Sequence, residues 1–172
     1  PYYDRDLLRY ASEVSGINER LFGQADERIG FKEMISAAEK VYTGDILPPD
    51  SDDYISTANL FAFQAKIIKE LAQQESCIIL GRCGNYLLDG VDGVLRVFIH
   101  APLESRIARV ASYSLAWSER EVARYIRVED KRRAAYYHYY TGEEWRDAGA
   151  YDICLDSEKL GEDGCVQRIM QV

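Results

Sequence analysis

Apolar residues recur at helical spacing through much of the chain and gather into three short continuous runs. Leu7, Leu8, Ala11 and Val14 place a stripe on a helix over residues 4–14, with Gly16 as its stop signal. Residues 18–42 read as helical in two pieces, broken near Gly23 and Gly30, and residues 43–53 are a loop rich in Pro, Gly and Asp. Leu60, Phe61, Gln64, Ile67, Ile68 and Leu71 share one face of a helix over 59–74. The continuous runs at 77–80, 94–99 and 151–155 read as strands. Pro102 suits the first turn of a helix carrying Arg106 and Arg109. Ser118-Glu119-Arg120-Glu121 is a capping box that starts a long helix, which runs through the tyrosines of residues 136–140 and ends at Thr141-Gly142. Short apolar strands separated by helices predict βαβ units and a parallel sheet covered on both faces. Three strands are few for so many helices, so the sheet is expected to be completed by a segment upstream of Pro1.

Composition narrows the class. With 172 residues and 47% hydrophobic content, one compact domain is expected. No apolar run approaches the roughly 20 residues that span a bilayer, and no signal-peptide pattern is present. A net charge of −8 argues against a broad nucleic-acid surface, and no nucleic-acid or membrane partner is expected. Cys77, Cys83, Cys154 and Cys165 form no Cys-x-x-Cys pair, and His100 and His138 are isolated, so no metal site is expected. Cys77 and Cys154 lie in apolar strand-like runs and are expected as buried, reduced thiols in a cytoplasmic protein.

Charge is unevenly spread. Residues 103–133 hold eight basic side chains and five acidic ones, a positive patch in an acidic protein. Such a cluster suits a small polyanion, because guanidinium matches phosphate geometry bidentately. On the local sequence alone, a solvated helix with ion pairs such as Glu129–Arg133 is the favoured reading. In open parallel sheets ligands bind at the carboxyl ends of strands. Gly81-Arg82 follows the first run, His100-Ala101-Pro102 leads from the second to Arg106, and Asp156-Ser157 follows the third. Arg82 and Arg106 are thereby candidates for one crevice, with Arg133 closing over it. Each also has an ordinary structural role: a turn, a helix surface, and for Asp156 a helix cap. The tyrosines of residues 136–140 are expected to pack rather than to stack on bases. Asp4 and Asp6 make too weak a pair to assign acid–base work, and no hydrolytic triad can be assembled.

Taken together, PYYDRDLL (1–8), CIILGRCGNYLL (77–88), LRVFIHAPLESRIARV (95–110), DKRRAAYYHYYTGEEW (130–145) and YDICLDSEKLG (151–161) resemble the cytidylate kinase-like family, relatives of the P-loop nucleoside monophosphate kinases. The resemblance implies an α/β, three-layer P-loop kinase-like domain over residues 1–172, with a parallel sheet flanked by helices and a helical lid near residues 111–141. It implies transfer of the γ-phosphate of ATP, with Mg²⁺, to a nucleoside monophosphate, CMP or dCMP. A non-catalytic nucleotide-binding domain, or a kinase acting on another small acceptor, are the alternatives. Arg82 resembles the acceptor-site arginine, and Arg106 the phosphate-neutralising arginine of the next helix. Asp130 and Arg133 match the Asp-x-x-Arg of the lid, and Asp4 and Arg5 fall at the border of the acceptor pocket. The resemblance thus makes Arg82, Arg106 and Arg133 the catalytic candidates, and Asp4, Arg5, Arg82, Asp130 and Arg133 the substrate-binding ones. The chain has no G-x-x-x-x-G-K-[ST]. Its ATP-phosphate loop is expected on a strand–loop–helix of about 25–30 residues upstream of Pro1.

Overall fold

The computed structural model describes residues 1–25, 42–113 and 116–172. They form a mixed α/β protein in two compact units, Pro1–Val94 with Arg133–Trp145, and Leu95–Arg132 with Arg146–Val172. Among the described residues are seven α-helices and two parallel two-stranded sheets. No helix among them is long and apolar enough to cross a membrane.

In the first unit, β1 (Tyr2–Tyr3) pairs in parallel with β2 (Ile78–Ile79), Tyr2 opposite Ile78 and Tyr3 opposite Ile79. Ile78 N–H donates to the Pro1 carbonyl (2.9 Å) and Leu80 N–H to that of Tyr3 (3.0 Å), which anchors the first residues beside the strand end that carries Arg82. Helices α1 (Asp6–Ser15) and α2 (Glu19–Ala25) pack on α3 (Thr57–Gln74). Leu7, Ala11, Phe22, Phe61 and Ile68 are the centre of this core, each large side chain contributing roughly 1.5–3 kcal/mol by leaving water. The expected tyrosine packing holds: Tyr136, Tyr137 and Tyr140 are buried, and Tyr140 stacks on Phe61 at 3.8 Å. Buried Asn59 ties down the loop before α3, its Oδ1 accepting from Leu47 N–H (2.8 Å) and its Nδ2 donating to the Tyr54 carbonyl (2.8 Å).

In the second unit, β3 (Val97–His100) pairs in parallel with β4 (Ile153–Asp156) from Val97–Ile153 to His100–Asp156. Arg96 clamps the mouth of this ladder: its backbone N–H and Nε donate to one Asp152 oxygen (2.7 and 3.1 Å) and its Nη2 to the other (2.7 Å). These bonds hold the Asp152 carboxyl down at about 2. Helix α5 (Leu103–Tyr113) follows β3, with Arg106 N–H bonded to the Pro102 carbonyl at 3.1 Å. Helix α6 (Glu119–Thr141), of which the residues up to Arg132 belong to this unit, starts at the expected capping box, where Ser118 N–H reaches Glu121 Oε2 (2.8 Å). It ends at Gly142, whose left-handed φ of 73° lets its N–H close on the His138 carbonyl. Asp156 caps α7 (Ser157–Ile169), accepting from the N–H groups of Glu158 and Lys159, and α7 packs back on β3 and β4.

Several expectations change. Helix α2 runs through Gly23 without a break, because one glycine costs only about 1 kcal/mol in a helix packed by Phe22 and Ala25; the second piece, with Gly30, lies outside the described residues. Val14 is exposed, since the stripe of α1 narrows to Leu7, Leu8 and Ala11. The sheets are not covered on both faces: Ile78 is 62% and Ile99 53% exposed. For the same reason Cys154 is exposed, on the face opposite buried Leu155, and Cys77 is only half-buried, while Cys83 and Cys165 are the buried thiols. Beside these changes, the ion pairing expected on α6 is present at Glu129, which bonds Arg132 (2.6 Å), three residues on.

Candidate functional site

Beside the Arg96–Asp152 clamp, each unit brings an arginine that the sequence singled out onto a distant aspartate. In the first unit, β2 ends in a tight reversal in which Gly81, Arg82 and Cys83 all take left-handed backbone, with φ of 68°, 52° and 57°. Glycine adopts this freely, whereas residues with a Cβ pay roughly 1–2 kcal/mol each. Such strain persists where the surroundings over-determine the conformation, and it gathers at ligand sites. Here the surroundings are a short helix, α4 (Gly84–Leu87), whose Leu87 N–H closes on the Cys83 carbonyl (2.9 Å), and the burial of Cys83 itself. The reversal turns Arg82 inward until it is only 3% exposed. Its Nη1 donates to Asp4 Oδ1 (3.1 Å) and to the Leu80 carbonyl (3.3 Å). Arg82 and Asp4 thus meet, although 78 positions separate them.

Arg5 follows at the N-cap of α1 and is exposed. Asp6 faces Arg9 at 4.0 Å, so the two neighbouring aspartates have different partners. The adjoining Tyr3 hydroxyl donates to Glu75 Oε1, and that hydrogen bond pushes the phenol up to about 12.

In the second unit, Arg106 projects from the first turns of α5 and meets Asp130 of α6 in a two-pronged fork. Nη1 donates to Oδ2 at 2.8 Å and Nη2 to Oδ1 at 2.6 Å. Arg146, in the segment after α6, adds a third bond, Nη2 to Oδ2 at 2.7 Å. The Asp130 side chain is 16% exposed, so two guanidinium ions share one half-sheltered carboxylate. The sequence pattern offered no signal for Arg146 beyond its charge: it belongs to no apolar period and no recognised spacing. Arg133 lies one turn beyond Asp130 on α6 and is exposed. Of the sequence-predicted residues, then, the structure joins Asp4 with Arg82 and Arg106 with Asp130, while Arg5 and Arg133 lie at the surface.

Guanidinium groups match phosphoryl oxygens in geometry and charge. An arginine fixed by a carboxylate presents a planar array of N–H donors in a set orientation, which lowers the ordering cost of binding an anion. Among the described residues, no group of three His, Cys, Asp or Glu side chains could hold a metal ion.

Comparison with known proteins adds the ancestry. The model of the cytidylate kinase-like family matches residues 1–159. A cytidylate kinase of Methanosarcina acetivorans is 32% identical over 90 residues, covering 52% of this chain and 49% of that protein. A cytidylate kinase of Methanosarcina mazei is 30% identical over the same length and shares. The chain spans about half the length of these relatives. Among solved structures, an uncharacterized protein from Eubacterium ventriosum superimposes with a TM-score of 0.63 at 24% identity, over 67% of this chain and 73% of that one, a likeness of fold.

Proposed function

The chain belongs to the cytidylate kinase-like family, and from that premise we propose that it works as an ATP-dependent nucleoside monophosphate kinase, passing the γ-phosphate of ATP to CMP or dCMP. On this reading the fold is a P-loop kinase-like domain over residues 1–172, with residues near 111–141 as its lid. The observation that carries the reading is the Arg106–Asp130 fork, two-pronged at 2.6 and 2.8 Å, within the residues that match the family.

Phosphoryl transfer asks little covalent chemistry of a protein. It needs the acceptor oxygen held in line with the γ-phosphorus, and positive charge where the equatorial oxygens gain negative charge. Arg82 is assigned to the acceptor phosphate, with Asp4 fixing its guanidinium and Arg5 at the pocket border. Arg106 neutralises the phosphoryl group in transit, oriented by Asp130. Arg133 is the lid arginine of this reading. The cytoplasm, where ATP and nucleoside monophosphates are held, is the matching compartment.

Mg²⁺ would enter with ATP and be held largely by phosphate oxygens and water. The described residues include no cage of three metal-ligating side chains.

The test is ADP formation from ATP and Mg²⁺ across a panel of nucleoside monophosphates, using the full-length natural protein. Turnover dominated by CMP or dCMP is expected. Arg82→Ala and Arg133→Ala should each lower kcat/KM by about 100-fold with circular dichroism unchanged. Near-wild-type turnover in both variants overturns the site assignment. A folded protein that binds nucleotides but turns over none of them is instead a binding domain of the same descent.

A further inference from the structure

We propose that Tyr137 is a positioning residue for Arg82, its hydroxyl coupling the turn that aims this arginine to the helix that carries Arg133. The inference rests on the kinase reading for what the arginine binds, whereas the linkage itself lies within the first unit. Tyr137 is 3% exposed, and its Oη accepts from Asn85 Nδ2 at 2.8 Å while donating to Glu143 Oε2 at 3.2 Å. Asn85 stands three residues after Arg82, on α4. Arg133 stands one helical turn before Tyr137, on α6. One hydroxyl therefore joins the two segments of this unit that carry the arginines singled out in the sequence.

The turn needs an anchor outside itself. Arg82 and Cys83 both hold left-handed backbone, and the helix they lead into is four residues long. A helix that short has too few internal bonds to fix its own direction, so packing and side-chain ties from other elements must do it. Rotation of α4 about Cys83 would re-aim the backbone from which the Arg82 side chain leaves.

Tyr137 is itself held in register. Thr141 Oγ1 donates to the Tyr137 carbonyl at 2.6 Å, and Glu143 N–H donates to Thr141 Oγ1 at 3.0 Å, which brings the Glu143 carboxylate back onto the hydroxyl. A hydroxyl that gives its proton to a carboxylate turns its lone pairs toward Asn85, and the charged partner strengthens the next bond in the chain. Tyr140, three residues on, is the contrast. It is equally buried, at 3%, and its hydroxyl donates to the Thr57 carbonyl at 3.2 Å, at the start of α3. Removing either hydroxyl removes a buried bond, but the bond lost at Tyr137 is the one to α4.

A tyrosine with a packing role alone would lower the melting point and nothing more. Steady-state kinetics of the full-length protein, well below its melting temperature, separate the two roles. Tyr137→Phe and Asn85→Ala should each raise KM for the nucleoside monophosphate about fivefold, with kcat and KM for ATP unchanged. The double variant should raise it no further than either change alone, since both cut the same bond. Tyr140→Phe should lower the melting point as Tyr137→Phe does and leave both KM values unchanged. Native-state amide exchange gives a readout that needs no turnover: residues 81–87 should exchange about threefold faster in Tyr137→Phe and at the natural rate in Tyr140→Phe. Should Asn85→Ala fail to fold, the two tyrosine variants carry the test. In an active enzyme, an unchanged acceptor KM in Tyr137→Phe, or effects that multiply in the double variant, makes the hydroxyl a packing bond and overturns the proposal. If the natural protein phosphorylates no nucleotide, the kinase reading falls and the exchange decides: faster exchange at residues 81–87 in Tyr137→Phe alone keeps the linkage, and equal rates overturn it.

Discussion

Removing the Asp4 carboxylate isolates a positive charge that the fold has already buried. The Arg82 side chain is 2% exposed and that of Asp4 46%, with 3.1 Å between Nη1 and Oδ1. Breaking a fully buried pair costs about 3–5 kcal/mol, because the remaining ion loses its compensation. A fully exposed pair is worth about 0–1 kcal/mol. Water reaches Asp4 but hardly reaches Arg82, and the Leu80 carbonyl at 3.3 Å keeps part of the solvation of the guanidinium. Asp4→Ala should therefore cost about 2 kcal/mol. With a urea m-value of about 2 kcal/mol/M, the unfolding midpoint of the first unit falls by about 1 M. Asp4→Asn keeps an acceptor and should lose about half as much. The control is a double variant: Arg82→Met in the Asp4→Ala background removes the stranded charge and should recover at least half of the loss. An unchanged midpoint in Asp4→Ala, or no recovery in the double variant, would refute the argument that Asp4 compensates the charge buried at Arg82.

Two further outcomes follow from the packing and from the strand clamp. Phe61 is 2% exposed and stacked on Tyr140, so Phe61→Ala should cost about 3–5 kcal/mol, read as a lower unfolding midpoint and faster amide exchange in α3 and the last turns of α6. The carboxyl of Asp152 lies at about 2 in the folded protein, held there by Arg96, and near 3.9 in an unfolded chain. Its folded value is the lower one, so its contribution is complete above pH ~4 and disappears as pH falls toward 2. Melting curves of the natural protein and Asp152→Asn should differ at neutral pH and converge in acid; a constant difference would remove Asp152 from the acid response.

Local patterns determined much of this protein. The stripe over residues 59–74 made α3, the Ser118–Glu121 box began α6, and the apolar runs near 78, 97 and 153 made parallel strands, because period and capping chemistry act over a few residues. The same short range explains why Arg82 and Arg106 could be singled out from their positions just beyond strands. The strand Tyr2–Tyr3 escaped that reading because two residues carry no period, and only the Ile78–Ile79 edge makes them a strand. Tertiary structure alone decided that Arg82 is buried rather than a surface turn residue, through three successive left-handed residues and an aspartate 78 positions away. It alone brought Arg146 onto Asp130. A charge pair between distant segments leaves no mark in either one, since its energy depends on a separation of a few ångströms that exists only after the chain has folded.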